Sequence, residues 1–423
     1  MWWAYFDDKI VHKPSTAEFR LVGGKLSVGL SMAGSFSFDI PVTHPNYGEI
    51  ASGVMGKGRI RVAQDGTEVF RGRVFSASAD PLSGFCNVIC EGELAELNDS
   101  VLAPYEFGGS PEDYLRMLLA SHNAHCEPFM VGNVTAKDSN GFIARSNQSS
   151  SATWDEIAEK TFGSSTGGYL ALRHEGKSRF IDWLDEPDVP GNQEVRFAKN
   201  LRSVKDSRTG DGFCTAIRPE GRDADGNAFT LESLPNGSPR NGVSLIDGYM
   251  VNDALFQEHG WISKTVVWED VTLVENLASK AAEYASGLSL PRSVKVTAID
   301  LKDAGYEFDR FSIGQRIRVV APDIDARMLI VQLDYDLDNP TNNTIVFETI
   351  AVKASSGAVV WNDAKRQAQE AKYLSNRAHV QAEARSRTFT TTPTPPYDEG
   401  DIWVNSQASG GNDIYVCIRG REI

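Results

Sequence analysis

The sequence predicts a β-rich α+β protein of several domains: two small antiparallel β-barrels, an α+β domain between them and a C-terminal helix. Three observations lead there. Strand-like alternation dominates residues 1 to about 103 and returns from about 195 to 355. Helical segments with capping signals lie between the two runs. The chain has 423 residues, and a single core stops growing near ~250 to 300.

In residues 1–103, the first predicted barrel, KLSVGL and SFSFDI alternate apolar and polar residues. IRVAQDGTEVFRGRVF carries Asp65-Gly66, the pair that favours a type I′ hairpin turn. A second hairpin runs through DPLSG to the return strand FCNVIC. Residues 104–194 form the α+β domain. Its first helix starts at Ser110 as N-cap with Pro111 at the first helical position, and Leu115, Leu118 and Leu119 form the buried face. Its second helix starts at a capping box, Thr153 with Glu156. GGYLALRH and SRFIDWL then make a hairpin.

Residues 195–356 are the second barrel, with a helical insertion at about 246–290. The insertion holds DVTLVENLASKAAEYASGL, read as capped by Asp270 and closed by Gly287 and Pro291. Residues 357–389 read as a helix whose small residues Ala364, Ala368, Ala371, Ser375, Ala378 and Ala382 recur at steps of four and three. An Ala-rich seam buries little area, so two readings stand: one member of a bundle about a threefold axis, or a solvated linker helix. Residues 390–423 are a Pro-rich linker and a partial small β module.

Composition narrows the function. Apolar residues make up 41%, and no stretch approaches the ~20 apolar residues of a membrane helix. The opening MWWAYFDDKIVH has neither a basic start nor an unbroken apolar run, so no Sec signal is expected. Cys86, Cys90, Cys126, Cys214 and Cys417 are odd in number and scattered, which fits assembly in a reducing cytoplasm better than a disulfide framework. A net charge of −15 opposes gripping a phosphate backbone, yet suits a surface past which DNA slides.

The search for chemistry predicts no catalytic residue, no metal site and no cofactor. Cys86, Cys90, His122, His125 and Cys126 resemble a zinc set, but Cys86 and Cys90 on one strand stand about 13 Å apart, too far for a tetrahedral ion. Buried thiols and a polar helix terminus are the expectation. GVMGKG precedes a hairpin rather than a helix and reads as a loop. Asp223 to Asn227 reads as a turn, and Asp334, Asp336 and Asp338 as carboxylates on one strand face, because neither has calcium-loop spacing. No Gly-x-Ser-x-Gly or His-Glu-x-x-His occurs.

Residues 90–100, CEGELAELNDS, hold Glu91, Glu93, Glu96 and Asp99 around Leu94 and Leu97. They read as a joint. Leu94 and Leu97 are expected to cover the bottom of the first barrel while the carboxylates face water.

The stretch RGRVFSASADPLSGFCNVICEGELAELNDS resembles the barrel-to-second-domain junction of siphophage tail-tip hub proteins, the tail-associated lysin or prophage endopeptidase tail family, which shares its fold with contractile-tail baseplate hubs. SFSFDIPVTHPNYGEI, SATWDEIAEK, GGYLALRHEGKSRFIDWLDE, GYMVNDALFQEHGWISKTVVWEDVTLVENLASKAAEYA and SVKVTAIDL are similar to other parts of that family in the same order, over residues 1 to about 355. The resemblance implies a homotrimer whose six barrels dock on the hexameric distal tail protein, close the tail tube and open for DNA ejection. The tape measure protein and a receptor-binding protein are further candidate partners. The location it implies is the distal end of the virion tail, after assembly in the host cytoplasm.

Many relatives carry a long C-terminal hydrolase or fibre. Here GDIWVN…DIYVC ends abruptly at IRGREI, which reads as a truncation, so no enzymatic activity is expected. Two alternatives are a tail-associated cell-wall hydrolase whose catalytic part is missing or unrecognised, and a carbohydrate-binding adhesin using Trp403 and Tyr415.

Overall fold

The computed structural model describes residues 1–348, apart from positions 81, 138–140, 165, 209, 211, 224–226, 269–270, 291, 304 and 323, together with the strands Thr388–Phe389, Ile402–Asn405 and Asp413–Val416. The chain divides into Met1–Trp361 and Asn362–Ile423.

The frame of the first unit is one sheet of 13 strands. From one edge it runs Lys9–His12, Trp2–Phe6, Ile60–Gln64, Thr67–Asp80, Phe85–Gly92, Ser35–Pro41 and Val22–Gly29. It continues through Ile324–Asp336, Thr344–Glu348, Arg292–Ala298 and Leu201–Arg208, with Arg316–Ala321 and Val195–Arg196 branching from Ile324–Asp336. Two separate barrels were the expectation. Instead the two β regions share a ladder, Gly29 opposite Gln332 through to Lys25 opposite Asp336. Among the described residues, no ladder closes either region on itself. The physical reason is that a strand edge carries unpaired N–H and C=O groups, and here each region's edge satisfies the other's.

Each region wraps its own core. Phe36, Phe38, Ile40 and Val88 lie in the first, and Val294, Val319, Ile330 and Phe347 in the second. Val28 and Tyr335 pack against both, and Trp2 meets Tyr335 edge-on at 4.9 Å between ring centres. The Asp65-Gly66 turn is formed as predicted, with φ of 50° and 85°. Where the long hairpin enters the joint, Gly72 faces Gly92 across the ladder, and the Phe70 ring lies over both. A Cβ on Gly92 would stand 1.8 Å from the Ala33 carbonyl oxygen.

The intervening region packs helices Pro111–Asn123 and Thr153–Lys160 with a three-stranded sheet, Phe129–Val134 beside Ser178–Leu184 beside Tyr169–Glu175. Ser110 Oγ accepts the Asp113 N–H at 3.1 Å, and Leu115, Leu118 and Leu119 are buried, as their spacing predicts. The capping box at Thr153 does not form. Ala152 is the N-cap, and Thr153 and Glu156 are turned into the interior. Thr153 Oγ1 lies 2.8 Å from Ser100 Oγ, while Glu156 accepts hydrogen bonds from Tyr105, Asn147 and Ser151. Tertiary partners have taken the groups that local capping would have used.

Between strands Leu201–Arg208 and Arg292–Ala298 the chain forms a six-stranded sheet with its own core, against which helix Val274–Ser286 packs Leu277, Ala281, Ala282 and Ala285. That helix starts at Val274 with Leu273 as N-cap, later than the Asp270 start read from the sequence; Asp270 and Pro291 lie outside the described residues.

In the second unit Ile402–Asn405 pairs parallel with Thr388–Phe389 and antiparallel with Asp413–Val416, placing Trp403 opposite Tyr415. Of the segment read as helix 357–389, the described part is Thr388–Phe389, which is strand; the Ala364 to Ala382 seam lies outside the described residues.

Candidate functional site

The joint at 90–100 is where the structure concentrates its buried charge. Strand Phe85–Gly92 leads into a 3-10 helix, Glu93–Asp99. Leu94 and Leu97 do not cover the first β region: they belong to the core of the α+β region. Two of the four carboxylates are correspondingly inverted, while Asp99 is exposed as expected. Glu93 and Glu96, expected in water, are 2% and 4% exposed.

Burial of two carboxylates requires partners, and both flanking regions supply them. From the α+β side, Arg179 Nη1 donates to Glu96 at 2.6 Å while its guanidinium lies 3.9 Å over the Phe129 ring. His174 Nε2 is 2.6 Å from Glu93. From the first β region, Arg59 Nη2 stands 3.1 Å from the other oxygen of Glu96 and donates to Glu127 at 2.9 Å. Arg73 clamps both ends of the joint, donating to Glu91 at 2.7 Å and bidentately to Asp99. The Asp99 contact, with help from Glu91, holds the Arg73 pKa above its ordinary value, and Arg59 holds Glu127 below its own.

The same joint contains a serine–histidine contact that has the outline of a nucleophile and base. Ser100 Oγ lies 3.0 Å from His122 Nδ1. Its setting is structural: both residues are buried, Ser100 Oγ also meets Thr153, and His122 Nε2 faces the Glu127 carbonyl oxygen at 3.2 Å rather than an orienting carboxylate. His122 is therefore an interior lock, not the polar helix terminus expected from its position. Burial holds its pKa below the usual histidine value.

A second joint ties the two β regions. The three aspartates read as carboxylates on one strand face are the ties. Asp334 accepts from Ser27 at 2.8 Å, Asp336 from Lys25 at 2.6 Å, and Asp338 from the Gly23 N–H at 2.7 Å. At the turn of the first hairpin, Arg310 donates to Asp65. Cys86 and Cys90 are buried thiols, as read, and burial raises both pKa values.

No protein-family model matches the sequence, and no curated protein matches it. Solved structures do. The tail protein from Neisseria meningitidis MC58 covers 84% of this chain and 97% of its own, at a TM-score of 0.55 and 13% identity. The 43 kDa tail protein of prophage MuSo2 from Shewanella oneidensis covers 82% and 98%, at 0.52 and 14%.

This chain has the phage tail-protein fold. The prophage tail protein gp18 from Listeria monocytogenes matches it over 86% of this chain and 98% of its own, at a TM-score of 0.51 and 11% identity. The likeness spans nearly the whole of all three tail proteins. At such low identity the shared property is the architecture.

Proposed function

We propose that this chain is a structural tail-tip hub: a homotrimer that docks on the hexameric distal tail protein, closes the tail tube and opens for DNA ejection. The observation that carries this reading is the 13-stranded sheet that joins two β regions within a fold shared with three phage tail proteins over 82–86% of this chain. Two β regions per chain give six in a trimer, the number a hexameric ring would require. The net charge of −15 suits a passage for DNA that is not bound. The buried pairs at residues 90–100 and the shared ladder between the two β regions would make the Met1–Trp361 unit move as a block, so opening would occur between chains rather than within that unit.

The test is to mix the purified chain with its cognate distal tail protein and image the product by negative-stain electron microscopy. Threefold particles stacked on a sixfold ring are expected. Monomers that ignore the ring would overturn the reading. Zymography on cell walls is expected to show no clearing, because the Ser100–His122 contact is buried and fully engaged.

A further inference from the structure

We propose that the outer face of the six-stranded sheet, at Trp261, Tyr249 and Phe256, is a binding platform for a neutral saccharide. The register defines that face. Ile217 and Met250 are partners and point into the core beneath helix Val274–Ser286. Strand residues alternate sides, so Arg218, its partner Thr265, and Tyr249 point the other way.

There Trp261 meets Tyr249 at 5.2 Å and Phe256 at 6.0 Å, each close to perpendicular. Trp261 is 46% exposed and Phe256 38%. Helix Asp253–His259, which carries Phe256, contributes no buried residue, so these rings do little for the core. They form an aromatic patch that water covers at a cost.

The polar groups beside the rings select the ligand. Arg218 stands 5.9 Å from the centre of the Tyr249 ring and donates to Glu232 at 2.8 Å, and Arg222 lies 3.9 Å from Glu220. Charge on this face is already balanced in pairs, which removes the attraction for an anion. A protein partner would have to strip water from those pairs, a cost that often exceeds the gain. A sugar ring would lay its C–H face on the aromatic rings and meet the ion pair with hydroxyls at its rim. This inference does not depend on the hub reading.

The full chain is applied to an array of neutral hexose, deoxyhexose and N-acetylhexosamine oligomers, and the best binder is titrated calorimetrically. Wild type is expected to bind one class. Trp261→Ala should weaken that binding by roughly ten-fold or more, the equivalent of ~1.4 kcal/mol, with Trp261→Phe recovering part and the thermal melt unchanged. Arg218→Met should weaken it several-fold. The proposal is overturned if wild type retains no oligomer, or if binding survives Trp261→Ala but is lost in Trp403→Ala. It is equally overturned if Trp261→Ala leaves sugar binding intact and instead abolishes docking on the distal tail protein.

Discussion

Arg179 and Glu96 are both buried, 2.6 Å apart, and belong to different elements of the joint: one to a strand of the α+β region, the other to the 3-10 helix that enters it. Breaking a buried pair strands a charge, at about 3–5 kcal/mol. Glu96→Ala is therefore expected to lower the urea midpoint sharply. The double variant Arg179→Met with Glu96→Leu should recover part of the loss. Equal destabilisation by single and double variants would show that the pair does not hold the joint.

The tie between the β regions is open to the same approach. Burial opposes ionisation of Asp334, but hydrogen bonds from Gln332 and Ser27, with Lys295, outweigh it and hold the pKa below the ordinary value. A depressed carboxylate adds stability above its unfolded pKa, near 4, and that stability is lost as pH falls through the folded value. Asp334→Asn should cost about 1–3 kcal/mol at pH 7 and speed amide exchange in Val22–Gly29. Protection unchanged in that strand would refute the tie.

Glu348 has the opposite sign. Burial pushes its carboxyl up to about 7, while Tyr169 donates to it at 2.7 Å. A raised carboxyl contributes stability that is present below its unfolded pKa of about 4.5 and is lost as pH rises through 7. Glu348→Gln keeps the acceptor and removes the charge. It should raise the melting temperature at pH 8 and change little at pH 4.5.

Three histidines, His12, His44 and His122, are held below their usual pKa by burial. The unfolded chain then binds more protons below about pH 6.5, so stability falls as pH drops from there. In a Glu348→Gln background, where the opposing slope is gone, urea midpoints should decrease from pH 7 to 5.5. His122→Gln should flatten that decrease; an unchanged slope would remove His122 from the account.

Gly92 has no room for a side chain, because the nearest atom to an added Cβ is a backbone oxygen at 1.8 Å that cannot rotate away. Gly92→Ala is expected to abolish soluble folded protein. Gly66→Ala, at a turn with open space around it, should cost only the strain of a left-handed φ. Similar melting temperatures for the two would contradict this.

Much of the fold was legible in local pattern. The Asp65-Gly66 turn, the Ser110 cap and the Leu115, Leu118, Leu119 face depend on neighbours a few residues apart, and each formed as its spacing predicts. Thr153 and Glu156 fit a local rule equally well and were drawn elsewhere, because Ser100 and Tyr105 arrive from distant sequence and outcompete the backbone. The aromatic patch was missed for a related reason. Tyr249, Phe256 and Trp261 have no shared period, and only the path of the chain from strand Tyr249–Asn252 through helix Asp253–His259 brings the rings together.

By itself, the sequence determined several local features, among them the Asp65-Gly66 turn and the Ser110 cap, that the chain needs more than one core, and that residues 90–100 are a joint. Tertiary structure alone decided what that joint does. Four carboxylates around two leucines can face either way, since charge and apolarity do not specify which region closes over them. Arg59, Arg73, His174 and Arg179 settle it by arriving from both sides. The union of the β regions has the same origin: an edge strand displays unpaired backbone groups whatever its side chains, and only the folded chain shows that Val22–Gly29 and Ile324–Asp336 satisfy each other.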